Sequence, residues 1–109
     1  MMQVAGAIAI FVAVGHGWMG DQVLRQQPLT AEMRNFIRAA YQFGTAGWLA
    51  VGVLMLASNG LSVDDRQTLG LVAIALFGFA ALTNAWFTKG RHPGWVLLAV
   101  TCVLTGLSL

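Results

Sequence analysis

The two histidines of this 109-residue chain are the side chains best suited to chemistry, and both lie beside apolar segments. His16 follows an apolar run in VAVGHGWMGDQVLRQQ, which also contains Asp21, and His92 lies in GRHPGW. A histidine can bind a metal or move a proton near neutral pH. A metal site needs three or four matched ligands, however, and HExxH and similar motifs are absent from the sequence. His16 and His92 are therefore only candidate metal ligands, and the sequence predicts no catalytic residue.

A second group of polar residues lies near the start of the second apolar segment. Arg34, Arg38, Tyr41 or Gln42, and Thr45 recur every three or four residues, so they share one face of a helix. Two interpretations stay open: the arginines bind lipid phosphates while Gln42 bonds a neighbouring helix, or the face forms a dedicated site. The complete set of candidate ligand-binding residues is His16, Asp21, Arg34, Arg38, Tyr41, Gln42, Asn84, Arg91 and His92.

The composition indicates that a membrane protein positions these side chains. The chain is 58% hydrophobic and 9% charged, whereas a soluble domain carries about a quarter charged residues. Its net charge of +2 comes from few residues that form no basic patch, which argues against a nucleic-acid partner. The single Cys102 excludes an intrachain disulfide and a cysteine-cluster metal site. The expected surroundings are membrane lipids.

Four apolar segments predict four transmembrane helices, because about 20 largely apolar residues cross the hydrocarbon core. The expected spans are about 2–19, 36–57, 68–87 and 93–109. Thr30 and Ser62 are expected to cap the second and third helices, and Gly60 suits a left-handed helix stop. The chain is thus predicted to form one all-α domain over 1–109, an antiparallel bundle of four transmembrane helices.

The loops predict the orientation of this bundle. Five of the six basic residues flank the first and third loops, and only Arg66 is near the second. The positive-inside rule therefore places the first and third loops in the cytoplasm and both termini outside, as expected for a bacterial inner membrane protein. An aromatic belt at the same boundary is formed by Trp18, Tyr41, Trp86 and Trp95.

A stripe of small residues on the first predicted helix indicates that His16 faces a neighbouring helix. The stripe consists of Ala5, Ala9, Ala13 and Gly17, which recur every four residues and allow close helix packing. The simpler interpretation is that His16 bonds a backbone carbonyl, an interfacial water or Asp21; the alternative is a ligand or proton-handling role. In an antiparallel bundle, one pocket at the cytoplasmic boundary would collect His16, Asp21, Arg38, Gln42, Asn84 and His92.

The segments GHGWMGDQVL, FIRAAYQFGTAGW and GRHPGW resemble motifs of a family of small bacterial four-helix membrane proteins. In that family the first motif usually reads His-Ser-x-Leu-Gly-Glu and the second usually ends in Trp-His. Here Asp21 takes the place of the glutamate, and Tyr41 and Gln42 take the place of Trp-His, which removes one candidate metal or proton ligand. The resemblance implies the fold but no reaction, and the residues it highlights are His16, Asp21, Arg38 and His92.

Two classes of function fit this pattern. The favoured one is a non-enzymatic membrane module that binds a partner subunit, a lipid or a small anionic molecule near the arginines, in a homo-oligomer or with another membrane subunit. The second is a membrane-embedded metal, haem or quinone site with a catalytic or redox role for His16 and His92. A small transporter or channel acting as a homo-oligomer is a further alternative, although no carboxylate falls inside a predicted span. The sequence predicts no particular cofactor.

Overall fold

Four α-helices joined by short loops form the protein in a computed structural model that describes all residues from Met1 to Leu109. The helices are α1 (Met2–Arg25), α2 (Ala31–Leu56), α3 (Val63–Thr88) and α4 (Gly94–Leu107), with a single 3₁₀ turn at Ser58–Gly60. No strand is present, so the all-α prediction and the number of helices are confirmed.

Three of the helices are long and apolar enough to cross a membrane. α1 has 24 residues and α2 and α3 have 26 each, so at 1.5 Å per residue they measure about 36 to 39 Å, more than the roughly 30 Å of a hydrocarbon core. α4 has 14 residues and measures about 21 Å. The span predicted at 93–109 is therefore longer than the helix, which begins only after the turn at Pro93 and ends at Leu107.

Side-chain caps begin α2 and α3 where the sequence predicts them. The Thr30 hydroxyl accepts a hydrogen bond from the Met33 backbone N–H at 3.2 Å, and the Ser62 hydroxyl accepts one from Asp65 at 3.1 Å. Each hydroxyl satisfies a backbone donor that the first helical turn leaves without a partner. Both polar helix starts lie before the apolar segments, as expected.

The helix end with left-handed backbone angles lies after α3, at Lys89 and Gly90, and not at Gly60 as the sequence predicts. Residues 58–60 form the 3₁₀ turn, whereas Lys89 and Gly90 have φ values of 54° and 75°. The Gly90 backbone N–H donates to the Ala85 carbonyl at 2.8 Å, which is the six-to-one bond of a Schellman motif. This reversal of the chain brings residues 91–94 back towards the other helices.

Helix α1 lies between α2 and α4 and packs against both, α3 packs mainly against α4, and α2 touches α3 only slightly. Residues early in α1 lie opposite residues late in α2, as Gly6 does with Gly52. The predicted small-residue stripe of α1, from Ala5 to Gly17, is buried. A Cβ atom on Gly6 would lie 2.8 Å from the Gly52 carbonyl oxygen, so the two backbones are in direct contact.

The end of the molecule that carries loops 26–30 and 89–93 is called the basic end below. Five basic residues lie at this end: Arg25, Arg34, Arg38, Lys89 and Arg91. Arg66 lies at the opposite end, where it lines a small cavity with Gln3, Asn59 and Ser108. The distribution of basic residues is therefore uneven along the bundle in the way the sequence predicts.

Candidate functional site

Three rings from α1 and α2 form an aromatic wall near the basic end. His16 stacks on Tyr41 with ring centroids 4.3 Å apart and an interplanar angle of 14°, and the Trp48 ring lies 4.5 Å from His16 at an interplanar angle of 32°. Tyr41 and Trp48 are seven residues apart, or about two helical turns, so they share one face of α2. Trp48 then meets Phe77 of α3 edge-on at 5.9 Å. This chain of rings connects three helices.

Hydrogen bonds fix the position of the aromatic wall. The Tyr41 hydroxyl lies 3.0 Å from the carbonyl oxygen of His16 and 3.0 Å from its Nδ1. One turn further along α1, any Cβ atom on Gly20 would overlap the Tyr41 ring. The absence of a side chain at Gly20 is therefore what lets Tyr41 reach His16.

Asp21 and Arg38 form an ion pair between α1 and α2, beyond the apolar part of α1. Arg38 donates to both carboxylate oxygens of Asp21, and the bond from its Nη2 measures 3.2 Å. The Nε of Arg25 lies 3.0 Å from the same carboxylate. The hydrogen bond from Arg38 is the largest influence that holds the pKa of Asp21 below its ordinary value. Asp21 is thus ionised and paired with arginine, and it makes no hydrogen bond with His16.

The other polar residues of the predicted α2 face also have partners within the chain. Arg34 donates to the carbonyl oxygens of Gln27 and Leu29 at 2.9 and 3.1 Å, which secures the loop before α2. Gln42 donates to the Gly17 carbonyl at 2.9 Å and so joins α2 to α1. These contacts hold α1, α2 and the loop between them together.

A partly enclosed cavity of about 720 Å³ lies between the second half of α1 and the start of α4. Apolar side chains form most of its walls, including Phe11, Leu97 and Leu98. Of the nine predicted site residues, the cavity brings together His16, Tyr41, Asn84 and His92. The five that do not line it are Asp21, Arg34, Arg38, Gln42 and Arg91. No charged side chain lines the cavity.

The polar groups that line the cavity from α3 and from the loop before α4 differ in their hydrogen bonding. Asn84 makes no side-chain hydrogen bond within the chain, and its Oδ1 is buried. His92 is held at the start of α4, where its Nδ1 accepts the Gly94 backbone N–H at 3.0 Å. The cavity lining therefore includes a polar group, the amide of Asn84, that has no hydrogen-bond partner within the protein.

Most of the 16 residues that line the cavity were not among the candidates, and three of these bear on the shape of the site: Gly15, Gly20 and Trp48. Trp48 could have been found from its spacing, because it lies two helical turns after Tyr41. Gly20 could have been found as the residue three after Gly17 on the small face of α1. Gly15 gave no separate signal.

The histidines remain the only candidate metal ligands of the cavity. No group of three or more His, Cys, Asp or Glu side chains in the chain is close enough to hold a metal ion. Comparison of the chain with family models, curated proteins and solved structures finds no match. The geometry of the cavity is therefore the basis for assigning a function.

Proposed function

We propose that this chain is a small non-enzymatic protein of the bacterial inner membrane that binds a neutral, mainly apolar molecule in the cavity at its basic end. The observation that carries the proposal is the cavity itself, about 720 Å³ in volume and lined by apolar and uncharged polar side chains. Ligand sites of this kind typically measure about 300 to 1,000 Å³ and combine apolar walls with a few polar groups.

The proposed architecture is an antiparallel bundle whose helices run alternately in and out of the membrane. The contact of Gly6 with Gly52 and the contact of His16 with Tyr41 support this direction for α1 and α2. The exposed rings of Phe43, Trp86 and Phe87, each more than four-fifths exposed, suit an exterior in contact with lipid. The basic end lies in the cytoplasm and both termini lie outside under the positive-inside rule.

A neutral ligand fits the electrostatics better than the anion expected from the arginine-rich loops. Arg38 is paired with Asp21, and Arg34 is bonded to two loop carbonyls. An anion in the cavity would leave water without gaining a cationic partner, which is costly in an apolar setting. We therefore propose that these arginines stabilise the helix bundle and that the cavity binds an uncharged molecule.

Quenching of Trp48 fluorescence tests this proposal. A variant with Trp18→Phe, Trp86→Phe and Trp95→Phe keeps only Trp48, and it is titrated in lipid nanodiscs with 11-bromoundecan-1-ol, whose bromine quenches nearby indoles. We expect saturable quenching. The control keeps only Trp95, which does not line the cavity, and should show the weaker, non-saturating quenching of a probe dissolved in lipid. Equal, non-saturating quenching of both tryptophans would contradict binding in the cavity.

A further inference from the structure

We infer that a second cavity, at the end of the bundle opposite the basic end, binds a phosphate group. This cavity measures about 270 Å³ and is called the Arg66 cavity below. Most of its lining residues are polar: Gln3, Ser58, Asn59, Arg66 and Ser108. The inference goes beyond the proposed function, because the two cavities share no lining residue.

Arg66 supplies the only charged side chain of this cavity, and it has no partner within the chain. Both ion pairs of the protein are made by Asp21 at the basic end. The carboxylate next to Arg66 in the sequence, that of Asp65, accepts a hydrogen bond from the Ser62 hydroxyl at 2.7 Å. The Nε of Arg66 is buried without a hydrogen-bond partner. A cation that is partly removed from water and unpaired is costly, so an anion bound beside it is favoured.

Other groups of the Arg66 cavity can donate hydrogen bonds to the same anion. Gln3 donates to Oδ1 of Asn59, which leaves the Nδ2 group of Asn59 available as a donor. Helix α1 begins at Met2 with no side-chain cap and no acidic residue in its first turn. The first backbone N–H groups of this 24-residue helix therefore lack partners and lie at the positive end of the helix dipole, which favours a negative charge.

Phosphate is the oxyanion that best fits this set of donors and its position. A guanidinium group can donate two parallel hydrogen bonds to phosphate oxygens. The cavity lies where α1 begins at Met2 and α4 ends at Leu107. In the proposed membrane orientation this is the level of the phospholipid headgroups on the outer side. A phospholipid headgroup and a free phosphate ion present the same oxygens, so the experiment compares these two sources.

Thermal unfolding in dodecyl maltoside, an uncharged detergent, tests the Arg66 cavity with two probes at constant ionic strength. Dihexanoylphosphatidylglycerol, used below its critical micelle concentration, carries the phosphate on a lipid, and sodium phosphate carries it alone. A ligand that binds only the folded protein raises the unfolding temperature, so we expect saturable stabilisation by the lipid. Equal stabilisation by sodium phosphate would identify the free ion as a sufficient ligand, and its absence would assign the site to a phospholipid.

A pair of matched arginine variants assigns the stabilisation to this cavity. Arg66→Gln and Arg91→Gln each remove one positive charge, but Arg91 is exposed and lines neither cavity. We expect Arg66→Gln to raise the half-stabilising concentration at least about tenfold and Arg91→Gln to leave it unchanged. Without either probe, Arg66→Gln should be as stable as the unaltered chain, because Arg66 has no ion pair to lose. That result separates a binding role from a structural one.

A second pair of variants tests the site while keeping Arg66. Asn59→Asp adds a carboxylate of the same size to the cavity lining, so it should repel phosphate and raise the half-stabilising concentration at least about tenfold. Asn35→Asp is the control, because Asn35 is exposed and lines neither cavity. No stabilisation by either probe, or stabilisation that Arg66→Gln or Asn59→Asp leaves unchanged, would overturn the inference. The proposed function would then still stand, since its test reports on the other cavity.

Discussion

The Tyr41 hydroxyl lies 3.0 Å from two atoms of His16, and the two rings stack with their centroids 4.3 Å apart. This pairing joins α1 to α2 at the wall of the cavity. The ion pair of Asp21 and Arg38 joins the same two helices nearer the basic end, and neither residue makes a hydrogen bond with His16. The polar residues at this end therefore form two adjacent pairs and not a single network centred on His16.

A double-mutant cycle tests this pairing. Tyr41→Phe removes the hydroxyl and His16→Phe removes Nδ1, and both keep a ring. Because either variant loses the same contact, their effects on the free energy of unfolding should be non-additive by about 0.5 to 1.5 kcal/mol. The measurement is reversible unfolding in detergent. His16→Phe combined with Arg38→Gln is the control, and these two effects should add. Additive effects for His16 and Tyr41 would show that the contact between the hydroxyl and Nδ1 contributes no stability, since the bond of the Tyr41 hydroxyl to the backbone carbonyl of residue 16 survives in His16→Phe.

The contact between the backbones of Gly6 and Gly52 predicts a sharp difference between glycines. Gly6→Ala places a Cβ atom 2.8 Å from the Gly52 carbonyl oxygen, so we expect a loss of about 1 to 3 kcal/mol of stability from overpacking. Gly47→Ala is the matched control, because nothing lies within 4 Å of the added carbon. The check is thermal unfolding in detergent. Equal stability of the two variants would mean that α1 and α2 do not pack this closely.

Acid should weaken the contact between Asp21 and Arg38. Because Arg38 lowers the pKa of Asp21 in the folded protein, the pair stabilises the fold above the ordinary aspartate pKa of about 3.9. That contribution is lost as the pH falls through the lower, folded-state pKa. The unfolding temperature of the unaltered chain should therefore fall more steeply below pH 4 than that of Asp21→Asn.

The control for this acid titration is Asp64→Asn, because Asp64 is exposed and makes no ion pair. This variant should follow the unaltered chain at every pH. If Asp21→Asn lost stability on acidification as steeply as the other two proteins, the ion pair would have no role in their pH dependence.

Cysteine labelling tests the proposed orientation. In a Cys102→Ser background, a cysteine replacing Asp64 should react with a membrane-impermeant thiol reagent added outside intact cells. Cysteines replacing Gln27 or Gly90 should react only after the membrane is permeabilised. The reversed pattern would place the basic end and its cavity outside the cytoplasm.

Local signals were predictable from the sequence wherever a residue and its partner are close in the chain. Thr30 and Ser62 begin helices as expected, since a cap needs only a hydroxyl and the backbone three residues later. The four-residue repeat of the α1 stripe identified a buried face because helical geometry fixes it. The ends of the long helices were less predictable, because hydropathy marks the apolar span and not the helix: α1 continues past the predicted end at residue 19 through Asp21 to Arg25.

The partners of long polar side chains were not predictable in the same way. Arg34 and Arg38 share one face of α2, yet Arg34 reaches back to the loop carbonyls of Gln27 and Leu29 while Arg38 reaches across to α1. Spacing defines the face of a helix, but the length of an arginine side chain allows several acceptors. For the same reason the spacing did not show that Arg34 and Arg38 lie outside the cavity lining.

Blocking the cavity is the most direct measurement of the central claim. Gly15 lines the cavity, and nothing lies within 4 Å of a Cβ atom added there, so the backbone position is open to a side chain and Gly15→Leu is expected to occupy part of the cavity. Gly47→Leu adds the same side chain at an equally open position that does not line the cavity. In the protein that keeps only Trp48, we predict that Gly15→Leu raises the half-quenching concentration of 11-bromoundecan-1-ol at least about tenfold, whereas Gly47→Leu leaves it unchanged. Unchanged quenching in Gly15→Leu would contradict binding in this cavity.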